Sequence, residues 1–144
     1  MKTSFRTVPD TNVVIASQNA SVTSPNKEFF DRWKQDEFAL LYCEDTLREY
    51  IQKLLEHHVP RALIRKFIIE LLELAERVEI HFFHFSKYPP DVDDIPFLLC
   101  AANGRATHII SYDSDLQSLN GHYTFKVCKT LEFLFELRTE LANL

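Results

Sequence analysis

The chain has 144 residues, a formal charge of −5 and a hydrophobic fraction of 46%. This is the size of one domain, able to bury roughly 70% of its unfolded surface, and it is too apolar to be disordered. Two glycines, Gly104 and Gly121, exclude Gly-rich repeats and phosphate loops. The negative charge argues against a pure phosphate-binding module but is compatible with acids gathered at a metal site.

No apolar run approaches about 18 residues, so no membrane span is expected. The opening MKTSFRTVPD lacks the apolar core of a signal peptide, so a cytoplasmic protein is expected. Cys43, Cys100 and Cys128 are odd in number, far apart and set among apolar neighbours. They read as reduced core cysteines.

In chain order, FRTV (5–8) reads as a strand, Asp10 as its C-terminal end, and DTNVVIA as the start of a helix. Pro25 with NKEFFDRWKQ predicts a helix with Phe29, Phe30 and Trp33 on one face. FALLYC (38–43) is a continuous apolar run, as expected for a strand buried on both faces. Residues 44–58 place Leu47, Tyr50, Ile51, Leu54 and Leu55 at helical spacing. Pro60 suits the first turn of a helix over 61–78, with Leu63, Phe67, Leu71 and Leu74 on its apolar face. VEIHFFHF (78–85) alternates weakly and reads as a strand, and KYPPDVDD (87–94) as a loop. Residues 94–106 predict a buried helix ending at Asn103-Gly104. THIIS (107–111) and YTFKV (123–127) read as strands, with YDSDLQSL a turn into a short helix and 129–144 a closing amphipathic helix. This alternation predicts one α/β domain over 1–144, a three-layer sandwich around a mainly parallel sheet of about five strands.

Asp10 follows the first strand, Glu49 lies on the helix after the second, Asp94 opens the helix before THIIS, and Asp113 and Asp115 follow that strand. Ligand sites in such sheets lie at the C-terminal strand ends. Each acid alone also fits a turn or cap role. Together they repel: two carboxylates about 4 Å apart cost on the order of 4 kcal/mol at an effective dielectric near 20. A divalent cation removes that penalty, and an all-oxygen set suits Mg²⁺ or Mn²⁺.

The stretches VPDTNVVIAS, EDTLREYIQKL, DVDDIPFLLCAANGRATHIISYDSDL and KTLEFLFEL resemble a PIN domain along almost the whole chain. The resemblance implies a metal-dependent ribonuclease, the toxin of a toxin–antitoxin pair. It implies Asp10, Glu49, Asp94 and Asp113 as the acidic catalytic set, with Asp115 an additional metal ligand. It also implies support from Asn12 and Ser111, Mg²⁺ or Mn²⁺ as cofactor, and RNA as substrate. Departures are Pro9, which removes a ladder donor, and Tyr112, where the family often has a small residue and where a ring could stack on a base. Asp91 and Asp93 compete with Asp94 as the ligand; the spacing to Phe97 and Ala101 favours Asp94.

Backbone contacts to RNA would fall to Arg48, Lys53, Arg61, Arg65 and Lys66, although a solvated helix face is the more ordinary reading of these residues. His81 and His84, at i and i+3 in an expected strand, point to opposite faces and make a poor metal pair. An antitoxin helix or a second copy in a homodimer would take the face around Ile64, Ile68 and Leu72, residues that also suit core packing. The alternative is a non-catalytic PIN-like interaction module. A receiver-type phosphoryl-transfer domain wants an early acidic pair, and DTN has one acid.

Overall fold

The computed structural model describes residues 2–144. Its first strand, β1 (Arg6–Pro9), takes the centre of the sheet because Thr7, Val8 and Pro9 are buried. The chain then builds outward on one side through β2 (Ala39–Tyr42) and the two-residue β3 (Glu76–Arg77). It returns across β1 to β4 (His108–Ile110) and ends the sheet with β5 (Lys126–Cys128). The order is β3-β2-β1-β4-β5 and every pairing is parallel. The sheet is flanked by α1 (Thr11–Ser17), α2 (Pro25–Lys34), α3 (Glu44–Glu56), α4 (Arg61–Leu74), α5 (Ile95–Asn103), α6 (Ser114–Gln117) and α7 (Thr130–Ala142). The expected α/β sandwich with a five-stranded sheet is therefore the observed fold.

Registers decide where the site forms. Pro9 lies beside Ile110, and Ile110 beside Cys128, so β1, β4 and β5 end level. The strand order reverses between β1 and β4, which opens a crevice beyond their C-terminal ends. Pro9 does not break the sheet. It lies past the last β1–β2 partner pair, Thr7–Leu40, and its carbonyl accepts from the buried Tyr50 hydroxyl. Phe29, Phe38 and Phe133 fix α2 and α7 to one core, with ring centroids 4.9–5.5 Å apart. The three cysteines are free and buried, as expected.

Three expectations need correction. Helix α4 stops at Leu74 rather than 78, and residues 78–85 are not a strand. Val78 N–H donates to the Tyr42 carbonyl at 2.8 Å, and the backbone then leaves the sheet. The Asn103 side chain replaces a strand neighbour there: its Oδ1 accepts from His81 and Phe82 N–H, each at 2.8 Å, and its Nδ2 donates to the Phe82 carbonyl at 3.0 Å. The last strand begins at Lys126 rather than Tyr123, because Tyr123 and Phe125 stack on each other at 5.0 Å before the sheet is reached. At the end of α5, Gly104 has ordinary helical φ, and the left-handed residue is Arg105. Gly104 is there for space: a Cβ would lie 2.8 Å from the Cys100 carbonyl, Leu41 Cδ1 and Val78 Cγ2.

Candidate metal centre

The crevice at the switch point is lined by Asp10, Glu49, Asp91, Asp93, Asp94 and Asp113, with Thr11, Asn12, Lys53 and Phe97 between them. It is small, about 170 Å³. Four stretches of sequence converge because β1 and β4 end there, and because α3 and α5 run back against parallel strands and so start at the same edge.

Asp10 is the buried floor. It caps α1, Oδ1 accepting from Val13 N–H at 3.0 Å, and Oδ2 accepts from the Ser111 hydroxyl. Ser111, wholly buried, also accepts from Asp113 N–H at 2.9 Å, so one hydroxyl ties the ends of β1 and β4 together. Burial pushes the Asp10 carboxyl above its ordinary value; the Ser111 and Val13 donors work against that, and the Asp113 charge with it. Asp113 Oδ1 accepts from Asp115 N–H at 2.8 Å, which caps α6.

Asp94 is the least compensated acid. Its Oδ2 is buried with no hydrogen-bond partner among the described residues. Burial, followed by the charges of Asp113 and Asp91, pushes its carboxyl from 3.8 up to about 7. Asp91, Asp94 and Asp115 each offer an oxygen within 4.8 Å of the others. Glu49 faces them from α3, raised chiefly by burial, with Lys53 holding it down and Asp93 and Asp91 adding to the rise.

All five acids of the sequence reading therefore lie at one strand edge, with Asn12 on the lining and Ser111 beneath it. The tight oxygen set differs from the one expected. Asp91, set aside in the sequence on spacing grounds, joins Asp94 and Asp115, whereas Asp10, Glu49 and Asp113 line the wider crevice. A short 3-10 turn, Val92–Asp94, makes this possible: Asp91 caps it, accepting from Asp93 N–H at 2.9 Å, and the turn brings both carboxylates to one side. Thr11 was also missed. Its hydroxyl is buried at the lining without a partner among the described residues. Of the expected cations, Lys53 reaches the crevice while pairing with Glu56 at 3.2 Å, and Arg48 pairs with Glu44 at 3.1 Å away from it.

The sequence profile of the PIN domain matches residues 6–115, which spans β1, the acids and β4. The chain belongs to the PIN domain family. Members are generally nucleases that use divalent metal ions, and the acidic crevice of this PIN domain is compatible with such an ion. Its fold is similar to the crystal structure of PAE2754 from Pyrobaculum aerophilum, with a TM-score of 0.55 over 94% of this chain and 90% of that one. Identity with that protein is 13%, so the likeness is one of fold. Among curated proteins there is no significant match. No helix of the described residues is long and apolar enough to cross a membrane.

Proposed function

We propose that this PIN domain hydrolyses RNA phosphodiester bonds with Mg²⁺ or Mn²⁺ held by its carboxylates, and that it is the toxin of a toxin–antitoxin pair. The observation that carries the metal reading is Asp94 Oδ2, a buried carboxyl oxygen without a partner among the described residues, set among acids from four stretches of chain. Burying such an atom costs about 1–3 kcal/mol or more unless something positive meets it. The donor set is oxygen throughout, which suits a hard divalent cation.

Asp91, Asp94 and Asp115 would hold the ion most closely, with Asp10 and Asp113 completing the set or holding a second, and Glu49 left to face the water. When bound, such an ion activates water as the nucleophile and offsets charge on the scissile phosphate. The chain does the rest. Asp10 stays fixed by Ser111 and Val13 N–H. Glu49, raised by burial, receives the proton of the attacking water. Lys53, the one cation on the lining among the described residues, would leave its Glu56 partner for a phosphate oxygen, and the Thr11 hydroxyl, unpartnered among those residues, would donate to the substrate. Asn12 supports the turn at the strand end. No side chain has to form a covalent intermediate.

The toxin reading comes from the family resemblance. The α4 face supports a partner helix or second copy only in part: Ile64 is buried in the core, whereas Leu72 is 54% exposed. Growth arrest on expression, relieved by Asp94→Asn, tests that narrower claim.

Calorimetric titration of Mg²⁺ and then Mn²⁺ tests the site itself. Wild type is expected to bind at micromolar to millimolar concentration, Asp94→Asn at least about tenfold more weakly, and labelled RNA to be cut only by the wild type with metal. Absence of binding by the wild type at high metal would reverse the reading and favour a non-catalytic interaction module.

A further inference from the structure

We propose that the segment 81–88 is a stacking platform for single-stranded RNA, guiding the strand toward the acidic crevice; this rests on the RNA reading of that site. Phe82 and Phe83 are 67% and 58% exposed. Two adjacent large aromatic rings turned to solvent are an unfavourable use of apolar surface unless something covers them.

Their exposure is built into the loop. The Asn103 amide holds His81 and Phe82 through three hydrogen bonds and anchors itself to the Leu99 carbonyl at 2.9 Å. On the other side, the Tyr88 hydroxyl donates to the Phe83 carbonyl at 2.7 Å and accepts from Phe85 N–H at 3.0 Å. The Tyr123 hydroxyl donates to the Lys87 carbonyl, and Phe85 turns inward between the Tyr88 and Tyr123 rings. Backbone pinned before and after the two phenylalanines fixes them outward. A preorganised pair of rings is what base stacking needs, since ordering them costs little on binding.

Charge selects the occupant. The chain as a whole is acidic, yet Arg105 and Lys87 near this loop have no ion-pair partner among the described residues, and His81 and His84 flank the rings. Glu76 is already taken by Arg6, and Glu79 by Arg77 at 3.6 Å. Lys87 within the segment and Arg105, which shares a cleft with His81 and Asn103, supply cations near exposed aromatics, which complements a backbone of phosphates carrying unpaired bases. The geometry also links the two ends. Asn103 closes α5 and Asp94 precedes it, so the platform and the acids are separated by one nine-residue helix, about 13 Å. A strand of a few nucleotides spans that distance.

The test is fluorescence anisotropy with a labelled oligouridine of about twelve nucleotides, within the range of single-strand sites. It is run in chelator and again in Mg²⁺ with the Asp94→Asn background, beside a cleavage assay of otherwise wild-type protein. Phe82→Ala and Phe83→Ala are each expected to weaken binding by about 5- to 100-fold with unchanged thermal unfolding, and Phe82→Trp to retain it. Equal binding by the alanine variants while the wild type cleaves RNA would overturn the platform and leave the nuclease reading standing. Loss of binding in those variants from a protein that neither cleaves nor binds metal would keep the platform and remove the nuclease. Failure of the wild type to bind in both conditions, or a change in self-association instead of RNA binding, would overturn the platform.

Discussion

Asp94 shows what one carboxylate does when its surroundings are wrong for charge. Its ordinary value of 3.8 is pushed up to about 7 by burial and by Asp113 and Asp91. The protonated form is uncharged in folded and unfolded chains below about pH 4, so nothing is lost there. Between about pH 4 and 7 the unfolded chain ionises and the folded one resists, so stability falls as pH rises through the folded value. Metal-free protein in chelator is therefore expected to lose melting temperature between about pH 4 and 7, with Asp10 and Glu49, also raised, acting in the same direction. Asp94→Asn should flatten that fall and leave the variant more stable than wild type above neutrality, a comparison made by thermal unfolding. A variant that tracks the wild type at every pH would show that Asp94 is not strained by its neighbours.

Helix α5 carries the link between packing and site. Its start presents Asp94 and its end is wedged under the sheet at Gly104, where a Cβ would meet Leu41, Val78 and the Cys100 carbonyl at 2.8 Å. The surrounding atoms belong to β2, the β3 exit and the helix itself, and they cannot all move away. Gly104→Ala is expected to destabilise by about 1–3 kcal/mol through overpacking, read as a lower urea midpoint with unchanged slope. An unaltered midpoint would mean that the helix end slides freely. Weaker metal binding in the same variant would show that the slide reaches Asp94. Tyr50 plays the matching part on α3: its hydroxyl holds the Pro9 carbonyl and thereby the strand end that carries Asp10.

For the whole molecule, the crevice is a place where folding energy has been left unspent. Six acids and one lysine line it, and the repulsion is relieved when a cation binds the folded state alone. At a hundredfold excess over Kd such an ion adds about 2.7 kcal/mol, which for a domain near this size raises Tm by about 5–10 °C. Differential scanning calorimetry with Mn²⁺ should show that rise in wild type and little of it in Asp94→Asn. An equal rise in both would place the bound ion elsewhere on the acidic surface.

Periodicity and apolar runs were enough, by themselves, to determine the α/β class, the order of elements and the core aromatics Phe29, Phe30, Trp33, Tyr50 and Phe67, because burial imposes a period on every packed helix and strand. The order of acids along the chain was enough to indicate one strand edge, since parallel strands end together. Tertiary structure alone decided the rest. Residues 78–85 alternate like a strand but lose their partner to the Asn103 side chain, a contact 21 and 22 residues away that no local pattern records. Asp91 entered the tight oxygen set because a 3-10 turn folds it toward Asp94, and Asp115 because α6 turns it back across the end of β4. Thr11 mattered only once its neighbours left the hydroxyl without a partner. Hydrogen-bond satisfaction and carboxylate separation are properties of three-dimensional neighbours, so sequence spacing carries the candidates, and the fold chooses among them.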